Sequence, residues 1–171
     1  YVIDIEFTPN RGDCLSALGT SRDLAAFKNK KINLPQITKI GCQKSNNNIR
    51  KISPDICPEY RFMLLSNVDL KANTPKFIKD RLIKSDIATV NIIVDISNYV
   101  MMEVGQPTHA FDVDKINGKL SIIKSKRDLT FVGIDNKKYD ISKGTPVIVD
   151  DNECVHALPG VIGSRNSMVG S

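Results

Sequence analysis

Residues 120–163, LSIIKSKRDLTFVGIDNKKYDISKGTPVIVDDNECVHALPGVIG, decide the fold. The stretch divides into short runs rich in β-branched residues, each bounded by turn formers. Residues 120–125 read as a strand. Residues 131–134 and Lys138–Ile141 flank Asp135-Asn136, a pair suited to closing a hairpin. Pro146–Val149 is a further strand, stopped by Asp150-Asp151-Asn152, and Val155–Leu158 is one more. Several short strands beside only two or three helices argue for an α+β fold and against a doubly wound parallel sheet.

Working outward toward the N-terminus, Gly105-Gln106-Pro107 ends a segment and turns the chain. A short helix or turn is expected through 97–102, capped by Asp95 or Ser97, and residues 90–94 read as a strand. Thr74-Pro75 is the expected start of a helix, with Thr74 as N-cap and Pro75 at the first helical position. Its apolar face would be Phe77, Ile78, Leu82 and Ile83. Residues 61–68 look like a strand. Residues 28–55 are polar, with KNKK at 28–31 and Ser45-Asn46-Asn47-Asn48, and form the best linker candidate. Residues 2–7 alternate and read as a strand, and 8–13 form a turn cluster. Asp13 is then placed to cap a helix whose apolar positions are Leu15, Leu18, Leu24 and Phe27, weakened near its middle by Gly19.

The chain has 171 residues, 41% hydrophobic and 25% charged, so a buried core is expected and wholesale disorder is not. The apolar runs are too short to span a bilayer, and no signal peptide is legible. The chain opens in a strand-like run and stops in a Gly/Ser stretch, so both ends look cut from a longer protein. A net charge of +5 permits contact with nucleic acid without demanding it. The KNKK run reads first as a solvated face. The cysteines, Cys14, Cys42, Cys57 and Cys154, include no C-x-x-C pair, so reduced thiols are expected in a cytoplasmic protein, and no metal site. The phosphate-binding G-x-x-x-x-G-K-[ST] loop is absent, as are G-x-G-x-x-G, H-E-x-x-H and G-x-S-x-G.

His109 stands out among residues able to carry chemistry. It follows a sharp turn, and Pro107 restricts the backbone just upstream, so its imidazole could be held in place to donate a hydrogen bond or orient a water. A histidine that only ties the turn together is the alternative. Asn98 offers an amide donor and acceptor, or else a turn or capping role. Gly160 and Gly163 allow close main-chain approach to a ligand, or simply a turn after a strand. Arg11 could meet an RNA phosphate or form a structural tie to Asp13 or Asp23.

Three segments, TPNRGDCLS at 8–16, VDISNYVMMEVGQPTHAFD at 94–112 and ALPGVIG at 157–163, resemble the β subunit of bacterial phenylalanyl-tRNA synthetases, and the resemblance runs over nearly the whole chain. It implies an internal fragment of that subunit: residues 1–50 would end a preceding region and its linker, and 51–171 would form most of the editing domain. The fold implied is α+β, with mixed and antiparallel sheets, a few flanking helices and two intimately packed subdomains. The family enzyme is an α2β2 ligase that joins phenylalanine to its tRNA with ATP and Mg2+. No cofactor is expected in this fragment, and the partners implied are the α subunit and tRNA-Phe, with no membrane. The editing domain hydrolyses tyrosine wrongly attached to that tRNA. A second sieve is chemically needed, because an apolar pocket rejects an added hydroxyl only by about a hundredfold.

By the same resemblance His109, Asn98, Gly160 and Gly163 line the editing pocket, while further editing residues lie beyond Ser171. Ala88 stands where many relatives carry arginine. Pro159 and Ser164 stand where glycine is expected, and Arg165 where the family often has an acid. The alternative implied by these departures is an eroded, non-catalytic structural or tRNA-binding module of the same ligase.

Overall fold

A computed structural model of the chain describes residues 1–38, 41 and 49–170. The expected linker core, Ser45 to Asn48, and Cys42 lie outside the described residues. The chain divides into two compact units: one holds residues 1–40 and 68–109, the other Gly41–Asn67 and Ala110–Gly170. The backbone crosses between them after residues 40, 67 and 109.

The second unit carries a five-stranded sheet in the order β1-β2-β5-β6-β7, built from β1 (Ile49–Ile52), β2 (Leu120–Lys124), β5 (Pro146–Val149), β6 (Val155–Leu158) and β7 (Ile162–Gly163). β1 and β2 run parallel, and the remaining neighbours are antiparallel. A parallel pair needs a long crossover, here residues 53–119, whereas β5, β6 and β7 follow one another through tight turns. A separate hairpin pairs β3 (Leu129–Val132) with β4 (Lys138–Ile141) around Asp135-Asn136, and Asn136 takes the left-handed conformation such a turn uses. The fold is therefore α+β with a mixed sheet and an antiparallel hairpin.

Both faces of the large sheet are covered, and the strand period of two sorts its side chains. Val147 and Val149 join Phe131, Ile141 and Val155 beneath the hairpin. Ile148 turns the other way and packs with Leu120, Ile122 and Ala157 against Ile56, Tyr60 and Phe111. Val155 and Ala157 are two apart yet serve opposite faces. The cause is a bulge: Ile148 pairs with Ala157 but its neighbour Val149 pairs with Val155, so His156 is the extra residue.

The first unit holds α1 (Ala17–Phe27), α2 (Lys76–Lys84) and α3 (Ile92–Val104). Several expectations fail in this unit and at residues 61–67 of the other. Residues 2–7 and 61–68 are not strands but irregular and largely exposed. Their alternation suits a pleated surface, yet neither finds a partner edge, and a strand without one leaves its amides to water. Residues 90–94 are no strand either, because Asn91 accepts from the amides of Ile93 and Val94 and starts α3. Neither Asp95 nor Ser97 caps that helix.

The cap of α1 is Ser16, which accepts from Gly19, not Asp13. Gly19 lies in the first turn, where a Cβ would fall 2.0 Å from the carbonyl oxygen of Asp13, so close packing explains the glycine. Thr74 does not cap α2; Pro75 precedes it without a side-chain cap, and the Thr74 hydroxyl donates to buried Asp95 at 2.6 Å. Of the expected apolar face of α2, Ile78 and Leu82 are buried, whereas Phe77 and Ile83 are exposed. Gly105 ends α3 in the left-handed region, as the Gly-Gln-Pro sequence implies.

Candidate functional site

His109 is the last residue of the first unit. The loop carrying it is tied to α3, where the Ser97 hydroxyl lies 2.7 Å from the Thr108 hydroxyl and donates to the Thr108 carbonyl at 3.2 Å. Asn98 follows Ser97 on that helix, so one contact joins the two segments that carry Asn98 and His109. His109 keeps an exposed surface, while burial of its remainder pushes the imidazole below the ordinary histidine value of about 6.5. A neutral imidazole at pH 7 follows, with one nitrogen donating and the other accepting.

Gly160 and Gly163 belong to the β6–β7 hairpin of the second unit. Gly160 is exposed at the turn with φ of +73°, and open space surrounds the place a Cβ would take. Gly163 is buried; it pairs with Ala157, and its carbonyl accepts from the amide of Ile134 at 3.0 Å. Pro159 and Arg165 are exposed. Ser164 is fully buried, donates its amide to the His156 carbonyl and accepts from Asn166.

Where β5 turns into β6 is a polar centre invisible in sequence. Asp150, 3% exposed, accepts from the amides of Asn152 and Cys154 with one oxygen and from the amide and side chain of Asn117 with the other. Burial opposes its ionisation, but these hydrogen bonds outweigh burial and hold the carboxyl below the usual range. His156, wholly buried in the bulge, brings Nε2 to 3.2 Å from Asp150 Oδ2. The two groups meet there without a well-aligned hydrogen bond.

Arg11 resolves as a structural tie. Its guanidinium meets Asp13 at 2.9 Å and Asp23 at 2.8 Å, which lowers the Asp13 pKa to about 2, chiefly through the hydrogen bond from Arg11. Asp13, Cys14 and Asp23 bring their ligand atoms within 4.8 Å of one another, but the guanidinium already supplies the positive charge among them.

A groove of about 630 Å³ in the first unit is lined by none of the four residues above. Leu18, Leu24 and Met102 contribute its apolar floor, and Lys28, Lys30, Lys31, Arg81, Tyr99 and Glu103 its polar boundary. Arg81 donates to the Tyr99 hydroxyl, which donates to Glu103 at 2.7 Å, and the guanidinium lies 5.6 Å from the Tyr99 ring. The KNKK run was legible in sequence; its convergence with Arg81 and Tyr99, eighteen residues apart on two helices, was not.

These features define the class first: an α+β module with a bulged mixed sheet, a packed hairpin and a helical unit. The B3/4 domain model matches residues 56–171, and the chain belongs to that family. The chain is 36% identical over 172 residues to a phenylalanine–tRNA ligase beta subunit of Photorhabdus laumondii, covering 98% of this chain and 21% of that one. It is 34% identical over 168 residues to the same subunit of Acinetobacter baylyi, again covering 98% and 21%. The chain thus spans about a fifth of the length of these relatives. A crystal structure of an N-terminal fragment of the phenylalanyl-tRNA synthetase beta subunit from Pyrococcus horikoshii aligns with a TM-score of 0.47 at 17% identity, over 95% of this chain and 49% of that one. Among the described residues, no helix is long and apolar enough to cross a membrane.

Proposed function

We propose that this chain is part of the β subunit of a cytoplasmic phenylalanine–tRNA ligase, and that it takes part in hydrolysing tyrosine wrongly joined to tRNA-Phe. The observation that carries the reading is the 36% identity to a named beta subunit over almost the whole chain. The whole enzyme would use ATP and Mg2+ and assemble with an α subunit as α2β2; neither cofactor is assigned to residues of this chain.

His109, Asn98, Gly160 and Gly163 are the residues proposed to meet the substrate. A neutral His109 on a pinned loop supports the reading, since such an imidazole can orient a water or donate to the ester without carrying a charge. The exposed main chain at Gly160 could approach a ligand closely, while Gly163, buried in the strand that follows, would shape the hairpin behind it. Hydrolysis of an aminoacyl ester needs little more than a placed water and donors toward the oxyanion. A second reading, a non-catalytic structural or tRNA-binding module, is supported by Ser164: where glycine is expected, a buried serine caps the next turn.

The test incubates the full-length ligase complex with tyrosyl-tRNA-Phe and with phenylalanyl-tRNA-Phe. Selective release of tyrosine well above the enzyme-free rate is expected. Release no faster than that control, from a complex that still charges phenylalanine, would favour the structural module.

A further inference from the structure

We propose that Asn117 is a modification site: its side-chain amide is lost by cyclisation onto Gly118, and the Asp150 carboxylate is the latch that holds this reaction back in the folded chain. Asn117-Gly118 is the one place in the sequence where glycine follows asparagine. Asparagine is chemically labile, and a following glycine lacks the Cβ that would screen its amide nitrogen. Both residues are exposed in the turn that leads into β2, so water reaches them. Gly118 takes φ of +72°, and a Cβ there would fall 2.2 Å from Oδ2 of Asp151. The turn therefore requires the same glycine that makes the asparagine labile.

The fold restrains Asn117 at three points. Its side-chain nitrogen donates to Asp150 Oδ2 at 3.3 Å, its amide donates to the same oxygen at 3.1 Å, and its carbonyl accepts from the Asp151 amide at 3.1 Å. Cyclisation needs these contacts undone. The Gly118 nitrogen gives up its proton and attacks Cγ of Asn117. The N–Cγ bond forms, the Cγ–Nδ2 bond breaks, and Nδ2 leaves as ammonia, taking up a proton in place of the one released. Water then opens the five-membered imide at either carbonyl carbon, leaving aspartate or isoaspartate at 117. The leaving nitrogen is thus the atom that Asp150 holds, and hydrogen bonds to a carboxylate are among the stronger ones. The product sets a second carboxylate where a donor to Asp150 stood, so the latch does not close again. Asn117 thereby keeps a record of openings of the polar centre. The bland alternative is a turn asparagine whose only task is to satisfy Asp150. Asn117 is none of the residues proposed to meet the substrate, so this reaction and ester hydrolysis stand or fall separately.

The experiment incubates the full-length protein that carries this chain at mildly alkaline pH, with and without guanidinium chloride, and follows each asparagine by peptide mapping with mass spectrometry. In denaturant, Asn117 should convert faster than any other asparagine of the chain. In the folded wild type it should convert at least about tenfold more slowly than in denaturant, because the bonds to Asp150 must break before the ring closes. Asp150→Asn, shown to be folded by circular dichroism, should recover most of that difference. Val147→Ala, which weakens the same sheet in its buried core and leaves the latch in place, should stay near the wild-type rate. Conversion of Asn117 in denaturant no faster than at the other asparagines would overturn the site. A folded wild type as fast as the unfolded one, or an Asp150→Asn variant as slow as wild type, would overturn the latch. Equal acceleration by Val147→Ala would overturn it too, placing the protection in the sheet as a whole and not in Asp150.

Discussion

The two units of this chain are held together by different means. The second buries Ile122, Phe131, Ile141, Val147, Val149 and Val155 on two faces of one sheet. The first buries few apolar side chains, notably Ile78, Leu82 and Cys14, and leaves Leu24, Phe27, Phe77 and Ile83 in solvent. Its order comes from directed polar contacts: Asn91 and Ser16 as caps, Thr74 on Asp95, Arg11 on two carboxylates, Ser97 on Thr108. Non-directional burial tolerates substitution of like for like, whereas a polar contact depends on one atom in one place. Yet the second unit has one polar centre of its own, Asp150, and there the contrast is sharpest.

Asp150→Ala strands the amides of Asn117, Asn152 and Cys154 in a buried centre, and is expected to cost about 4 kcal/mol, read as a fall in the urea midpoint. A loss below about 1 kcal/mol would mean that the sheet tolerates a void at its polar centre. Next comes Leu82→Ala, expected to cost about 3 kcal/mol because the side chain is wholly buried, while Leu24→Ala in the same unit should stay within about 0.5 kcal/mol. Similar values for the two leucines would erase the picture of a sparse apolar centre in the first unit.

The smallest effect is one of pH. The Asp150 carboxyl lies below its ordinary value in the folded state, so the stability it contributes is fully present above about pH 4 and is lost as pH falls through the folded value. Stability of the wild type should therefore fall more steeply with acid than that of Asp150→Asn, measured by urea unfolding at stepped pH. Parallel curves would mean that the hydrogen bonds do not outweigh burial.

The same contrast explains how much could be read from sequence. In 120–163, period-two alternation and turn formers such as Asp135-Asn136 coincide with burial, so the strands and the hairpin were legible. At 90–94, Val-Asn-Ile-Ile-Val has strand-like residues, but the Asn91 cap and the buried bond from Thr74 to Asp95 select a helix, a contact spanning 21 residues that no local window sees. Residues 2–7 and 61–68 have the pattern of strands without the partners. His109, Asn98 and the glycines were singled out as candidates by local residue character, and only the motif resemblance gathered them into one proposed pocket. The Asp150–His156 pair was missed because a bulge, not a spacing, brings it together, and the groove because its cations come from separate helices.

Hydrolysis by the full-length complex with His109→Ala tests the functional reading most directly, scored beside charging of phenylalanine by the same preparation. Tyrosyl-tRNA-Phe hydrolysis slowed by about tenfold or more, with phenylalanine charging intact, is the expected result. Hydrolysis at the wild-type rate in that variant would contradict the role given to His109.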